Sequence, residues 1–368
     1  MKVCHITRSC SRSAGGLFES VRGMVRAQLE HGMDVEVTCL NDQHLDEDIL
    51  AWPNDVVSRF KNVGETGYGF SSELISHLKA SNADVFHLHG IWNFAATACL
   101  FALRNRPLVI SPRGMLDKWI LSRGTAKKRI SAFFVERPLI RRAVVHALND
   151  SELISVQSFC PTTVCLVSPN AVTIPTQTIQ HSSNSQAPFR FCFLGRIHPK
   201  KGLTELIHAI SHLNTLTHRR FILNIYGWGD ENYIQEIISL TKTLKLSTQI
   251  FFNGPVQGVE KANAFLCSNA FILPSYSEGL PMAVLEAASY GLPCVLTKEC
   301  NLPEFFTANA AIRSTQEPES IAQGMLMLLN SNDIKELSSN ALSVVSNKFS
   351  WNAVYPQILG VYQKAIAL

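Results

Sequence analysis

Short runs rich in β-branched and aromatic residues alternate with longer stretches of helical period along this chain, and they do so twice, on either side of a polar run without period. The first series holds candidate strands at Lys2 to Ile6, Val35 to Leu40, Asp84 to Leu88, Leu108 to Ser111, Val144 to Leu148 and Thr163 to Val167. Amphipathic stretches fall between them, at Leu17 to Glu30, Ile91 to Leu103 and Asp117 to Arg142. Strand, helix, strand in repetition folds as a parallel sheet with helices on both faces. From Asn170 to Pro188 the sequence NAVTIPTQTIQHSSNSQAP turns polar, with two prolines, as a linker does. The alternation then restarts at Phe189 to Leu194, Phe221 to Tyr226, Gln249 to Phe252, Ala270 to Leu273 and Pro293 to Leu296. The expected architecture is therefore α/β, with two Rossmann-like, doubly wound parallel-sheet domains at residues 1–170 and 189–350 and a linker at 171–188. Ligands of open parallel sheets bind beyond the carboxyl ends of the strands, so two such domains facing one another would enclose a cleft.

The length of 368 residues suits two domains. With 46% hydrophobic and only 17% charged residues, against about 25% in ordinary globular chains, intrinsic disorder is excluded. Ten cysteines are scattered without a C-x-x-C pair, which argues against zinc or dithiol chemistry and for small buried side chains in a reducing cytosol. The start, MKVCHITRSC, has no apolar h-region, so a secretion signal is not expected. The most apolar stretch, Ile91 to Leu103, is well short of the roughly 20 residues that span a bilayer.

Three segments carry chemistry. In FCFLGRIHPKKGLTELIHAISHL a strand ends at Leu194, Gly195 permits a tight turn, and a helix begins near Gly202 with Leu203, Leu206, Ile207, Ile210 and Leu213 at helical spacing. Arg196 and Lys201 flank that helix start, where free backbone N–H groups and the helix dipole favour an anion. A solvated basic turn is the plainer alternative. In LPSYSEGLPMAVLEAASYGLPCVL, Glu278-Gly279 lies in the loop after a strand, and Pro281 suits the first turn of the next helix. Glu286 sits in that helix among Met282, Ala283, Val284, Leu285, Ala287 and Ala288, where a carboxylate is costly unless hydrogen-bonded. Ligand hydroxyls are its expected partners, and a core cation is the alternative. In SRSAGGLFES, Gly15 and Gly16 precede a helix and would let backbone amides approach a phosphate, although double glycines are common in turns.

Other patterns weigh less. Asp46-Glu47-Asp48 contains a D-x-D, but it lies in an acidic polar stretch that reads as surface. In DVFHLHG, His87 reads as core, whereas His89 beside Gly90 is a candidate at the ligand-binding edge. The dinucleotide fingerprint G-x-G-x-x-G is missing, since Gly227-Trp228-Gly229 lacks a third glycine, and no G-x-S-x-G, H-E-x-x-H or P-loop occurs. Nicotinamide dehydrogenase, hydrolase, zinc protease and nucleoside triphosphatase readings have no support.

Together these segments resemble the retaining nucleotide-sugar glycosyltransferases of family 4, which have the GT-B fold. The likeness spans nearly the whole chain: GG after the first strand, HLHG, PNAV, LGRIHPKKG, YGWGD, LPSYSEGLPMAVLEA and CNLPEFF. Its most specific part is the E-x7-E arrangement of Glu278 and Glu286. The resemblance implies that Arg196 and Lys201 hold the donor diphosphate, Glu278 the donor sugar's hydroxyls and Glu286 the ribose, with Gly195, Gly227, Gly279, Leu280 and Gly16 lining the donor and Gly15 and His89 on the acceptor side. It implies further that a carboxy-terminal helix, residues 351–368, packs back on the first domain. One position departs from the family: in SPRGML, Arg113 stands where many relatives carry a histidine near the reacting carbon. An arginine can stabilise phosphate charge there but cannot act as a base at neutral pH.

The implied reaction moves a sugar from a nucleotide-diphosphate sugar, a UDP-sugar before GDP-mannose, to a hydroxyl of a glycan or lipid-linked oligosaccharide in surface-polysaccharide assembly. Neither a cofactor nor a metal is implied. A sugar-nucleotide epimerase of similar fold and a catalytically silent nucleotide-sugar-binding homologue are the rival readings, the first opposed by E-x7-E and the second supported only by Arg113.

The formal charge of +4 is unevenly spread. Residues 113–142 hold nine basic side chains against Asp117 and Glu136, a net of +7, so the remainder sums to −3. Trp119, Ile120, Ile130, Phe133, Phe134, Leu139 and Ile140 lie among those cations, the mixture of a helix resting on an anionic membrane surface. An amphipathic helix packed on the first sheet with a solvated basic face is the alternative. Such a patch points to lipid headgroups or phosphorylated acceptors and away from nucleic acid, and to a cytoplasmic protein peripheral to the inner face of the cell membrane.

Overall fold

A computed structural model of the chain describes residues 1–63, 68–117, 121, 126–179, 187–331 and 333–368. Residues 180–186 of the expected linker lie outside the described residues, as do Lys118, Trp119, Ile120 and Arg123 of the basic segment and the side chain of Lys127. The chain forms two compact units, Met1–Ala171 with Trp351–Leu368, and Val172–Ser350.

The first unit holds seven parallel strands: β1 (Lys2–Thr7), β2 (Asp34–Leu40), β3 (Val57–Phe60), β4 (Val85–His89), β5 (Leu108–Ser111), β6 (Val144–Ala147) and β7 (Val164–Val167). They lie in the order β3-β2-β1-β4-β5-β6-β7, which reverses direction between β1 and β4. The helices that matter here are α1 (Gly16–Glu30), α2 (Phe94–Ala102) and α3 (Asp150–Phe159). The two-residue period of the strands divides the core. Cys4, Ile6, Phe86, Leu88, Ile110 and Val145 face α2, while Val3, Val85, Val109 and Val144 face α1 and the carboxy-terminal helix. Burial on both faces explains why β4, VFHLH, holds only apolar residues and histidine.

The second unit holds six parallel strands: β8 (Phe189–Leu194), β9 (Phe221–Tyr226), β10 (Ile250–Phe252), β11 (Ala270–Leu273), β12 (Cys294–Thr297) and β13 (Ala311–Ser314). Their order is β10-β9-β8-β11-β12-β13, with the reversal between β8 and β11. Helices α4 (Leu203–Leu216), α5 (Gly258–Leu266) and α6 (Met282–Ser289) frame its carboxyl edge. Helix α7 (Trp351–Ile366) belongs to the first unit, where Trp351, Val354, Ile358, Val361 and Tyr362 join the core that α1 covers.

Several expectations need correction. Strands β3 and β13 are additional; both are four-residue edge strands (VSRF and AIRS) whose arginines break the apolar signal. Within the stretch Asp117 to Arg142, the described residues 126–141 form one helical run, in which Ala126–Ser131 and Arg137–Arg141 are joined by a π-helical turn at Ala132–Glu136. Leu139 and Ile140 from it are core residues, while Ile130, Phe133 and Phe134 are exposed. Pro281 caps α6 instead of entering its first turn. Cys267 is exposed, unlike most of the ten free cysteines. No helix among the described residues is long and apolar enough to cross a membrane.

Candidate functional site

In the second unit the expected residues converge at the carboxyl ends of β8 and β11. Gly202 carries the chain from the short Pro199–Lys201 turn into α4 at φ +70, and a Cβ there would lie 2.2 Å from the Pro274 carbonyl oxygen. Glycine alone fits that approach. The loop after β11 is tied onto the same turn, with the Tyr276 N–H donating to Lys200 O at 2.8 Å and Ser275 Oγ to the same oxygen at 3.0 Å. The Glu278 N–H donates to Glu299 O at 2.9 Å, and Asn301 Nδ2 donates to Glu278 O. So fixed, the Glu278 carboxylate accepts from Lys201 Nζ at 2.6 Å and is largely buried. Helix α4 has no side-chain cap, so its first-turn amides face the same edge with the positive end of the helix dipole.

Glu286, on α6, accepts from Lys261 Nζ of α5 at 2.9 Å, and both side chains are 18% exposed. Its partner in the protein is thus a cation, the alternative that the sequence left open, and Lys261 itself gave no signal there. Leu280 is buried between the two carboxylates in sequence, and Gly279 is partly exposed. Arg196 is exposed and lies over the Trp228 ring at 5.3 Å, a cation–π contact that the sequence did not suggest. Gly195 makes no left-handed turn. The glycine requirement lies at Gly227, where φ is +147 and a Cβ would come within 1.9 Å of Gly195 O.

In the first unit the Gly15-Gly16 loop is open, with nothing within 4 Å of a Cβ at either residue. Two carboxylates hold the segment before it. Asp42 accepts from Ser9 Oγ at 2.6 Å and Ser11 Oγ at 2.7 Å, while Asp48 accepts from the Arg12 N–H at 2.7 Å and the Arg12 Nε at 2.9 Å. Asp48 is buried, in contrast to the surface position read from the sequence; burial raises its pKa, but the Arg12 hydrogen bonds outweigh this and hold it below the usual carboxylate range. His89, expected at an open edge, has no exposed surface. Its Nδ1 accepts from Arg113 Nη2 at 3.1 Å.

Arg113 has a left-handed backbone, φ +59, and also donates from Nη1 to Asn170 Oδ1. Its Nε finds no hydrogen-bond partner among the described residues. Burial lowers the guanidinium to about 10 against the opposing charge of Glu152, so it stays cationic at neutral pH. Glu152, near the start of α3, accepts from the Gly114 N–H at 2.6 Å and the Leu148 N–H at 2.7 Å. One anion could therefore meet Arg113, and another the Arg196, Lys201 and α4 group.

Residues 15–153 match the family model described as "Glycosyl transferase 4-like domain", and residues 176–342 the one described as "Glycosyl transferases group 1". Among curated relatives, the O-antigen chain mannosyltransferase B of Escherichia coli is 25% identical over 174 residues, 46% of this chain and 45% of that protein. The MMP alpha-(1->4)-mannosyltransferase of Mycolicibacterium hassiacum is 26% identical over 173 residues, 46% of this chain and 41% of that one. The matches thus span less than half the length of these relatives. Among solved structures, the sucrose-phosphate synthase of Thermosynechococcus elongatus superposes with a TM-score of 0.79 over all of both chains at 15% identity. The Anabaena HepE protein, solved with UDP and glucose, gives 0.79 over 99% of this chain and all of that one at 18% identity. At such identities the structural likeness speaks for the fold alone.

Proposed function

Because the chain belongs to the group 1 glycosyl transferases, GT-B enzymes of the family 4 class, we propose that it transfers a sugar from a nucleotide-diphosphate sugar to an acceptor hydroxyl with retained anomeric configuration. The observation that carries this reading is the Lys201–Glu278 pair at the uncapped start of α4. A lysine ammonium has three donors and Glu278 takes one, so a diphosphate beside the α4 amides meets cation, dipole and N–H groups together. Arg196 adds a second cation. Glu278 holds the donor sugar's hydroxyls, and Glu286, fixed by Lys261, accepts from the ribose. Gly195, Gly227 and Gly279 keep side chains away from the ligand, and Leu280 supports the loop beneath it.

In the reaction the bond between the anomeric carbon and the diphosphate oxygen breaks, and a bond to the acceptor oxygen forms on the same face. The acceptor's proton passes to the departing diphosphate. Catalysis rests on positioning and on stabilising negative charge as it develops on that leaving group, the task of Arg196, Lys201 and the α4 amides, while Arg113 and the backbone amides near Gly16 offer the first unit's own place for an anionic group. The reading needs no metal. A UDP-sugar is the preferred donor, supported by the UDP bound to HepE, and GDP-mannose is second, supported by the mannosyltransferase relatives.

The acceptor is a glycan or lipid-linked oligosaccharide of surface-polysaccharide assembly, met at the membrane's inner face. Exposed Ile130, Phe133 and Phe134 stand beside exposed Arg129, Arg137 and Arg141, so one surface offers apolar anchors and cations for anionic lipid. Incubation with a panel of UDP- and GDP-sugars and lipid-linked acceptors tests the reading. Acceptor-dependent transfer supports it, epimerised sugar without an acceptor would make the chain an epimerase, and binding without turnover a silent homologue.

A further inference from the structure

His5, His87 and His89 bring ring nitrogens within 4.8 Å of one another, a spacing that would suit a metal ion. The hydrogen bonds assign those nitrogens to something else. Ser168 O can only accept and lies 2.7 Å from His146 Nε2, so that nitrogen carries the hydrogen and His146 Nδ1 accepts. Its donor is Ser111 Oγ, at 2.7 Å. A hydroxyl has one hydrogen, so Ser111 in turn accepts from His87 Nε2 at 2.7 Å. His87 Nδ1 then accepts from Tyr362 Oη at 2.9 Å. Tyr362 accepts from Gln28 Nε2 at 2.8 Å, and Gln28 Oε1 accepts from His5 Nε2 at 2.7 Å. His5 Nδ1 accepts from His89 Nε2 at 2.8 Å, which leaves His89 Nδ1 to accept from Arg113.

Arginine only donates, so the Arg113 end demands the same direction as the Ser168 end, independently of it. All six ring nitrogens of His5, His87 and His89 are committed, three donating and three accepting. No lone pair is left for a cation, and a guanidinium stands at one end. The groups around this chain are Met24 and Gln28 from α1, Tyr362 from α7, Ser111 and Arg113 at the end of β5, and His146 from β6; the charged ones are Arg113 and its counter-charge Glu152. Met24 Sδ, 3.8 Å from the Tyr362 hydroxyl, is too weak an acceptor to redirect it.

We propose that Tyr362 and Gln28 are positioning residues: by closing this one-way chain they hold His89 as the neutral Nε2–H tautomer, whose Nδ1 orients the Arg113 guanidinium toward its anionic ligand. Helix α7, the last element of the sequence, thereby sets a side chain at the end of β5. The role rests on the reading of Arg113 as ligand-facing, whereas the chain itself does not. Reversal would place an N–H of His89 against an N–H of Arg113 and a lone pair of His146 against Ser168 O, so the arrangement has one stable polarity.

The test is the ¹⁵N signature of the histidine rings in the full-length protein, with turnover measured alongside. Wild type should show Nε2–H tautomers for His5, His87, His89 and His146, unchanged between pH 5.5 and 8 and unmoved by added Zn²⁺. Gln28→Glu keeps the shape but replaces the amide donor with an acceptor. Tyr362 must then donate to it, and the His87 tautomer should change or His87 should titrate. Tyr362→Phe should lower kcat on the order of 10- to 100-fold with donor KM little changed. Nδ1–H tautomers in wild type, zinc-induced shifts, or Gln28→Glu with every tautomer intact would overturn the chain. An unchanged kcat in folded Tyr362→Phe would overturn the positioning role. If wild type turns over no nucleotide sugar, the function reading fails by itself while the spectra still judge the chain.

Discussion

Lys201 Nζ lies 2.6 Å from Glu278 Oε1, joining the turn before α4 to the loop after β11 across 77 positions of sequence. The pair exists because backbone carbonyls and amides around Lys200, Glu299 and Asn301 fix both loops, with the side chains meeting last. Lys201→Ala should therefore leave the fold intact while lowering kcat on the order of 10²- to 10³-fold, the usual loss when a donor to developing negative charge is removed. Because Glu278 is itself largely buried, the same substitution should also cost about 1–3 kcal/mol of stability; steady-state kinetics on the folded variant is the check, and full activity would remove Lys201 from the site.

The Lys261–Glu286 contact should likewise contribute to stability. Both side chains are mostly shielded, so Lys261→Met strips a partner from a partly buried carboxylate and should cost about 1.5–3 kcal/mol of stability. Glu286→Gln should instead lower affinity for the nucleotide. A double-mutant cycle in urea should return a coupling energy above about 0.5 kcal/mol, and additivity would show the contact to be incidental.

Four fully buried histidines predict acid sensitivity. Burial lowers His5 to about 4 and His146 to about 3, and holds His87 and His89 well below the usual imidazole range. A folded-state pKa below the unfolded value means that the unfolded chain takes up the protons. The stability is therefore fully present above about pH 6.5 and lost as pH falls below it, by about 1.4 kcal/mol per pH unit for each histidine. Urea melts at pH 7.5 and 5.5 should differ by several kcal/mol; equal values would show that these rings are not held neutral.

Membrane contact through Ile130, Phe133 and Phe134 with Arg129, Arg137 and Arg141 predicts salt-sensitive binding to vesicles containing anionic lipid and little binding to zwitterionic ones. Neutralising Lys127, Lys128 and Arg129 should weaken it on the order of 100-fold, at about 1 kcal/mol for each charge near the surface. Equal binding to both vesicle types, or none, would return the basic segment to the role of a solvated face.

The fold was legible because both sheets are parallel and buried, so each central strand is an apolar run set between turn residues and a helical period. The edge strands β3 and β13 escaped because exposure lets them carry Arg59 and Arg313. Glu278, Glu286, Arg196 and Lys201 stood out since charged residues beside strand ends and inside an apolar helix need a reason. Their protein partners did not stand out. Lys261 is an ordinary surface-type residue in sequence, and Gln28 and Tyr362 lie on helices more than 300 residues apart, whose meeting only the packing of α1 and α7 on one sheet face decides. Period two does place His5, His87 and His146 on the face of Val3, Val85 and Val144, a pattern visible in the sequence once the strands are aligned.

The central claim is transfer with retention, and the most direct measurement is proton NMR of the product's anomeric configuration, with UDP- and GDP-linked α-sugars, lipid-linked acceptors and EDTA present. The account predicts acceptor-dependent release of nucleoside diphosphate and an α-linked product that Lys201→Ala fails to form. A β-linked product, or turnover that is abolished by EDTA and restored by a divalent cation, would contradict it.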